Sequence, residues 1–406
     1  MMKLFTQLPK VACFALSYFA CVSCSSVAEK QDAETTKTSP LAVQHPAVAS
    51  PTPAPNPSLA KKKIKIALLL DTSSSMDGLI DQAKSQLWKL VNELSTATCD
   101  QEKPELEIAL YEYGNDRLPS KEGYIRQVSM FTGDLDLISE KLFALTTNGG
   151  SEFCGYVLRT SLSQLDWNGD DGDLRVIFIA GNEPFNQGPV SAVTSCKTAK
   201  EKDIVINTIF CGGFEEGLET GWKNAAMLAR GEYMSIEQDR QTVYIESPYD
   251  KEIAELNDQI NNTYISYGPK GSARKGNMMM QDKNAQSYGM ANTTERVVSK
   301  ASSFYSNAEW DMVDASGRED FELSSIKESD LPDELKGKTT QEKQLYISKK
   351  KTEREAIKAK IALLNKQRIK YIGEQEKTMG TQASLDGAML KAIKAQASKK
   401  RFVFES

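Results

Sequence analysis

The sequence predicts a doubly wound α/β fold, a mostly parallel sheet covered by helices on both faces, followed by a C-terminal α-helical region. Three observations predict it. From residue 62, apolar runs of strand length alternate with segments of helical periodicity. The strands are largely apolar throughout, as in sheets buried on both faces. From about residue 285 this pattern gives way to long, highly charged segments with apolar residues at helical spacing.

The first strand, "IKIALLLD" (64–71), is largely apolar, and "LIDQAKSQLWKLVNEL" (79–94) is a helix with Leu79, Ala83, Leu87, Leu90 and Leu94 on one face. "LEIALYEYG" (106–114) and "YIRQVSMF" (124–131) read as strands, "LDLISEKLFAL" and "YVLRTSLSQL" as helices. "LRVIFIAG" (174–181), the helix "PVSAVTSCKTAKEK", the strand "DIVINTIFCGG", the helix "GWKNAAMLARG" and the strand "YMSIE" complete the series. In such sheets ligands bind beyond the carboxyl ends of the strands, where the strand order reverses. Asp71 stands at such an end.

Asp71 opens the polar strip "DTSSSMDG" (71–78). Asp, Ser and Thr favour turns and helix N-caps, so a polar strand-to-helix turn accounts for the strip. It also suits an oxygen cage for a hard divalent cation, with Asp71, Ser73 and Ser75 on one side of a tight loop. Two further loops belong with it: the Gly-rich "NGGSEFCG" (148–155) opening a helix, and "FIAGNEPF" (178–185) ending a strand. This layout resembles the von Willebrand factor type A domain, a Rossmann-like fold, over residues 62–268.

The resemblance implies a metal-ion-dependent adhesion site that holds Mg²⁺ or another divalent cation and leaves one position open to a partner's carboxylate. Asp71, Ser73 and Ser75 match the first loop, and Ser151 stands where Thr is usual. The third loop departs: where such domains read T-D-G, this chain reads Ala180, Gly181, Asn182. Asn182 offers an amide oxygen and Glu183 a displaced carboxylate, while Asp77 and Glu152 lie close in sequence. Three states stay open: a site completed by Asn182 or Glu183, a weak site filled when a partner brings a carboxylate, and a metal-free rim used as a protein-binding surface. "AGNEP" also reads as a plain turn, with Asn182 tolerating left-handed backbone and Pro184 starting a helix. Glu112, Tyr113 and Asn115 end a neighbouring strand and either shape the same rim or pack.

Composition narrows the chemistry. The chain of 406 residues has one histidine, His45, in a Pro/Ala-rich stretch, so Ser-His-Asp, Cys-His and His-ligated zinc chemistry are not expected. A formal net charge of −5 gives no global basic excess, and no nucleic-acid partner is expected. Beyond the N-terminal segment the cysteines are Cys99, Cys154, Cys196 and Cys211, which allow three pairings if oxidised. The fold ranks Cys154–Cys211 first, both being near the rim, with Cys196 in mid-helix as an alternative partner. Four buried thiols are the alternative. No C-x-x-C pair among them suits zinc.

Residues 1–24 have the layout of a secretory signal, with two lysines before an apolar stretch too short to span a bilayer. "CVSC" ending at Cys24 looks like a bacterial lipoprotein cleavage site, although Cys21 occupies the place where Leu is usual. Ser25 and Ser26 resemble the pattern that permits outer-membrane sorting. Residues 25–61, rich in Pro, Ala, Ser and Thr, read as a disordered tether reaching roughly 90 Å as partly polyproline II chain. The expected organisation is therefore a signal over 1–24 with lipidation at Cys24, a tether over 25–61, a type A-like domain over 62–268, a linker over 269–300 and a helical region over 301–406. In that last region Ile357, Ile361, Leu364 and Ile372 form one stripe, and Leu385, Met389, Ile393 and Ala397 another. Ten Lys/Arg against three Glu between 339 and 371 give one helix a basic face. The expected function is non-enzymatic: a cell-envelope lipoprotein, anchored in the membrane by lipid and facing periplasm or surface, that presents the domain to an unidentified protein. The alternatives are a metal-assisted hydrolase or phosphotransferase at the strand-end rim, and an envelope scaffold with a degenerate type A domain.

Overall fold

In the computed structural model the described residues are 61–236, 244–379 and 385–404. Cys24 and the 1–24 and 25–60 segments lie outside them.

Six strands build the main sheet: β1 (Lys63–Asp71), β3 (Glu105–Tyr113), β4 (Ile125–Thr132), β5 (Leu174–Gly181), β6 (Val205–Cys211) and β7 (Tyr233–Ile236). Their order is β4-β3-β1-β5-β6-β7, all parallel except β4, which runs antiparallel to β3. Two short strands, β2 (Ala97–Cys99) and β8 (Phe402–Phe404), pair antiparallel apart from this sheet. The chain builds outward from β1 through β3 to the β4 edge, then crosses back to lay β5, β6 and β7 on the other side. The strand order thus reverses between β1 and β5, which places a ligand crevice at their carboxyl ends. Register levels those ends, with Asp71 beside Tyr113, Leu70 beside Ala180 and Gly181 beside Phe210.

The period-2 alternation of a strand divides each apolar run between two cores. Ile64, Ile66, Leu68 and Leu70 of β1 face one, Ala67 and Leu69 the other. The second core is covered by α3 (Cys154–Gln164), α4 (Ala192–Glu201) and α6 (Trp222–Leu228), with the short α5 (Phe214–Glu219) between β6 and α6. The first is covered by α1 (Asp77–Leu94), α2 (Leu135–Phe143) and α12 (Leu385–Ser398). Behind these lie α7 (Asp250–Asn261), α8 (Gly271–Ser287), α9 (Met290–Ala301), the one-turn α10 (Met312–Ala315) and the 40-residue α11 (Thr340–Met379).

Three expectations need correction. Residues 269–300, read as a linker, form α8 and α9. Their burial is largely polar: Arg296 and Lys300 are almost fully buried among Asp282, Asp136 and Tyr305. In α8 the polar packing leaves little hydrophobic periodicity to detect, while in α9 an amphipathic stripe is present among the charges. Second, the boundaries at 268 and 300 separate nothing, because the chain from Leu59 to Ser406 clusters as one unit and α12 sits directly on the sheet. Asn207 of β6 and Gln396 of α12, both buried, exchange amide hydrogen bonds of 3.1 and 2.6 Å. Third, Cys154 and Cys211 are not paired; all four described cysteines are buried free thiols. Cys211 belongs to the core on one face of the sheet and Cys154 to the core on the other.

Candidate metal and ligand site at the strand ends

β1 ends in Asp71, which is completely buried. One carboxylate oxygen, Oδ1, accepts the Ser73 backbone N–H at 2.7 Å, which tightens the turn. The other, Oδ2, is buried without a hydrogen-bond partner. Such an atom bears an unrepaid desolvation cost of roughly 1–3 kcal/mol, more when charged. Burial is accordingly the main cause that raises the Asp71 carboxyl to about 7; Glu152 and Glu183 push the same way, and the Ser73 bonds oppose them.

The hydroxyls of Ser73 and Ser75 lie 3.3 Å apart, so the strip does turn back on itself. The Asn182 side chain donates through Nδ2 to the Ser75 hydroxyl at 3.1 Å, while its Oδ1 is buried and unpartnered. Half a turn about the last side-chain bond exchanges the two atoms and offers the oxygen instead. Glu183 is half-buried and accepts from the Gln187 amide at 2.9 Å; its backbone carbonyl holds the Trp222 indole at 2.8 Å.

The second loop reaches the site by close backbone approach. Asn148 N–H donates to Thr72 O and Asp116 N–H to Gly149 O. Asn115 ties the first and second loops together, its amide donating to Thr146 O at 2.9 Å and Thr72 O at 3.4 Å. A Cβ on Gly150 would lie 1.8 Å from the Gly114 carbonyl oxygen, so no other residue fits. This threading brings in Glu152. A Cβ on Gly114 would lie 2.7 Å from Asp71 Oδ1 and 2.9 Å from Glu152 Cγ, so the two acidic side chains flank one point. Glu152 is 7% exposed, and burial first, then Glu183, raises its carboxyl to about 7, against a hydrogen bond from Ser73. Asp77, by contrast, is engaged by the Thr147 hydroxyl.

Of the six residues expected as ligands, the structure joins Asp71, Ser73, Ser75 and Asn182 by direct or shared hydrogen bonds, with Glu183 close enough to perturb Asp71. No hydrogen bond among the described residues joins Ser151 to this strip. The residue left out of that set is Glu152; the only signal for it was a carboxylate beside Ser151 in a Gly-rich loop. Glu112 and Tyr113 pack: Glu112 pairs with Arg126 and accepts from Thr72, and Tyr113 donates to Ala180 O at 2.9 Å.

The residues fit a hard cation. An orphaned buried carboxylate oxygen, two neighbouring hydroxyls and a second acidic side chain form an all-oxygen donor set. Among the described residues, no group of three or more His, Cys, Asp and Glu side chains is gathered closely enough to hold a metal. Hydroxyl and amide oxygens must therefore share in any coordination.

Six strands in the order β4-β3-β1-β5-β6-β7, an antiparallel edge and a D-x-S-x-S turn at the switch point fit the doubly wound α/β fold expected from the resemblance to von Willebrand type A domains. No protein-family model matches the chain, and no curated protein matches its sequence. Among solved structures the chain is similar to the conserved hypothetical protein BatB from Bacteroides thetaiotaomicron, at 15% identity over 43% of this chain and 90% of that one, with a TM-score of 0.33. It is likewise similar to the SpRpn10 VWA domain, at 15% identity over 44% and 90% with a TM-score of 0.34. A third similar structure is the vWF domain of the pilus tip protein Mfa5 from Porphyromonas gingivalis, at 13% identity over 44% and 90% with a TM-score of 0.32. It is the strand order and the turn, rather than these distant likenesses, that define the fold.

Proposed function

We propose that this chain is a non-enzymatic, exported lipoprotein that presents its type A domain to a protein partner, binding at the strand-end rim in a divalent-cation-dependent way. The observation that carries the reading is the unpartnered Oδ2 of the fully buried Asp71, at a turn where its other oxygen lies near Glu152 and the Ser73 and Ser75 hydroxyls lie 3.3 Å apart. Buried acidic groups without counter-charge are costly, and a cation offsets that cost. Asp71, Ser73 and Ser75, with Asn182 turned to its oxygen, would hold Mg²⁺ or Mn²⁺, which would supply a positive centre for an oxygen ligand from the partner. The protein's own part is to fix those oxygens: the Ser73 N–H orients Asp71, and Asn115 clamps the two loops.

Export and anchoring rest on the N-terminal sequence, with Cys24 as the lipidated residue. Among the described residues no helix is long and apolar enough to cross a membrane. Palmitate labelling of cells expressing wild-type and Cys24→Ala chains tests the anchor, with label expected only in the former. Calorimetry of the purified chain with Mg²⁺ and Mn²⁺ tests the site. Binding that Asp71→Asn abolishes supports the reading, and no heat or thermal shift with either ion removes it. Crosslinked capture from the native envelope, with and without chelator, identifies the partner.

A further inference from the structure

Resting on the cation reading above, we propose that Glu152 supplies the second carboxylate of the site, taking the place of the third-loop aspartate that Asn182 replaces. Two observations beyond the acidity of the region support it. Asp71 Oδ2 is a fully buried oxygen with no partner, and it lies beside Gly181 at the carboxyl end of β5. Glu152 approaches the other oxygen of the same carboxylate from the second loop: its Cγ and Asp71 Oδ1 each lie within 3 Å of one point, the position a Cβ on Gly114 would take.

Other acidic groups lie near the rim, Asp77, Asp116 and Glu183 among the described residues, and the approach to Asp71 Oδ1 is what marks Glu152. Asn182 turns its amide nitrogen to Ser75, Asp77 is held by Thr147, and Glu183 is bonded to Gln187. The expected second-loop ligand, Ser151, has no hydrogen bond to the strip among the described residues, and the side chain of its neighbour Glu152 is the one that approaches Asp71. The chain direction explains the substitution. Gly150 presses against the Gly114 carbonyl, and two residues later the loop delivers a side chain onto Asp71. Hard divalent cations lean on one or two carboxylates. The second loop then provides the second one.

Mn²⁺ titration of the full chain by calorimetry, across three variants, tests this. Glu152→Gln is expected to weaken Mn²⁺ binding by about tenfold or more, on the scale of losing a metal-site partner. Ser151→Ala is expected to leave affinity within about threefold, a change too small for a lost ligand. Asn182→Asp in the Glu152→Gln background is expected to recover most of the loss. A Glu152→Gln protein that binds as wild type does overturns the proposal while leaving the cation reading intact. A wild type that binds no Mn²⁺ removes both. Melting in chelator separates ligation from a structural role. Without metal, Glu152→Gln relieves repulsion beside Asp71 and should melt at or above wild type. A clear drop in Tm marks Glu152 as structural and also overturns the proposal.

Discussion

At the scale of single residues, the strand-end site is a set of buried acidic groups with unrepaid desolvation costs, which the proposed cation would offset. Burial with Glu152 and Glu183 nearby lifts the Asp71 carboxyl to about 7, against an ordinary value near 3.8. The folded state thus holds this proton more tightly than the unfolded chain does. Its stabilising effect is complete below pH ~4 and is lost as pH rises through ~7. In chelator, Tm should therefore fall from pH 5 to pH 8, by the equivalent of a few kcal/mol, since each pH unit separating the folded and unfolded values is worth about 1.4 kcal/mol. Saturating Mn²⁺ should flatten or reverse that slope, since the ion competes with the proton. Differential scanning calorimetry at five pH values with and without Mn²⁺ checks it, and parallel slopes would contradict a shared site. Gly150→Ala gives a second expectation: its Cβ would strike the Gly114 carbonyl, so the second loop must move and Mn²⁺ affinity should fall even where the fold survives. The gathering of these residues at the strand ends was legible; their role as ligands is the proposal. Asp71, Ser73 and Ser75 announce themselves after an apolar strand, and Asn182 follows another. Glu152 was not, because its role depends on how far Gly150 lets the second loop approach β3, which spacing alone does not encode.

At the scale of elements, the sheet was legible because burial on both faces writes long apolar runs. Helix α8 was not, because its packing is mostly polar, whereas α9 carries an amphipathic stripe, with Val297 and Val298 buried, that its charges obscured. Arg296 lies between Asp136 at 2.8 Å and Asp282 at 2.9 Å and stacks on Trp88 with 4.4 Å to the ring centroid. Lys300 donates to Asn257 and Asn261 and pairs with Asp282. Burial alone would raise the Asp282 carboxyl, but Arg296 and Lys300 outweigh it and hold the group well below the usual carboxylate range. A depressed carboxyl contributes stability above the unfolded value, and that contribution is lost as pH falls below ~4. Asp282→Asn should therefore cost about 3–5 kcal/mol at pH 7, because it strands two buried cations. The penalty should shrink in acid. Urea unfolding at pH 7 and pH 3.5 measures both, and a loss below about 1 kcal/mol at pH 7 would show that water already reaches the cluster. The long α11 is fastened in the same way. Arg354 stacks on Tyr264 and pairs with Asp311 and Asp314, and Arg368 pairs with Asp250 and Glu295. The cysteines teach the converse lesson. In β6, Ile209 and Cys211 share one face while Ile206 and Phe210 share the other, so strand alternation already opposed a Cys154–Cys211 bridge.

For the whole molecule, the C-terminal helices complete the domain rather than follow it. Leu68, Leu70, Phe178 and Ile209 of the sheet share one core with Met389, Ile393 and Ala397 of α12, and Phe402 of β8 closes its lower end against β2. Burying Met389, Ile393 and Phe402 contributes roughly 1.5–3 kcal/mol each, before cavity costs. Their sum approaches the roughly 5–15 kcal/mol that typically separates a folded domain from its unfolded chain. A fragment ending at residue 268 should therefore lack a cooperative melt, although it holds every strand of the main sheet and every candidate ligand. Ile393→Ala offers the milder comparison and should cost about 2–5 kcal/mol as a buried truncation. In that variant, with Trp88, Trp167 and Trp310 replaced by Phe so that fluorescence reports the sheet-side Trp222, fluorescence and far-ultraviolet dichroism, dominated by the helices, should lose signal at the same urea concentration. Two separated transitions, or a 62–268 fragment that melts sharply on its own, would mean that the helical region docks onto an already stable domain. The cation site would then be independent of it. Coincident transitions would instead make the strand-end site and α12 parts of one cooperative unit, so that chelator and Ile393→Ala should both lower the single Tm.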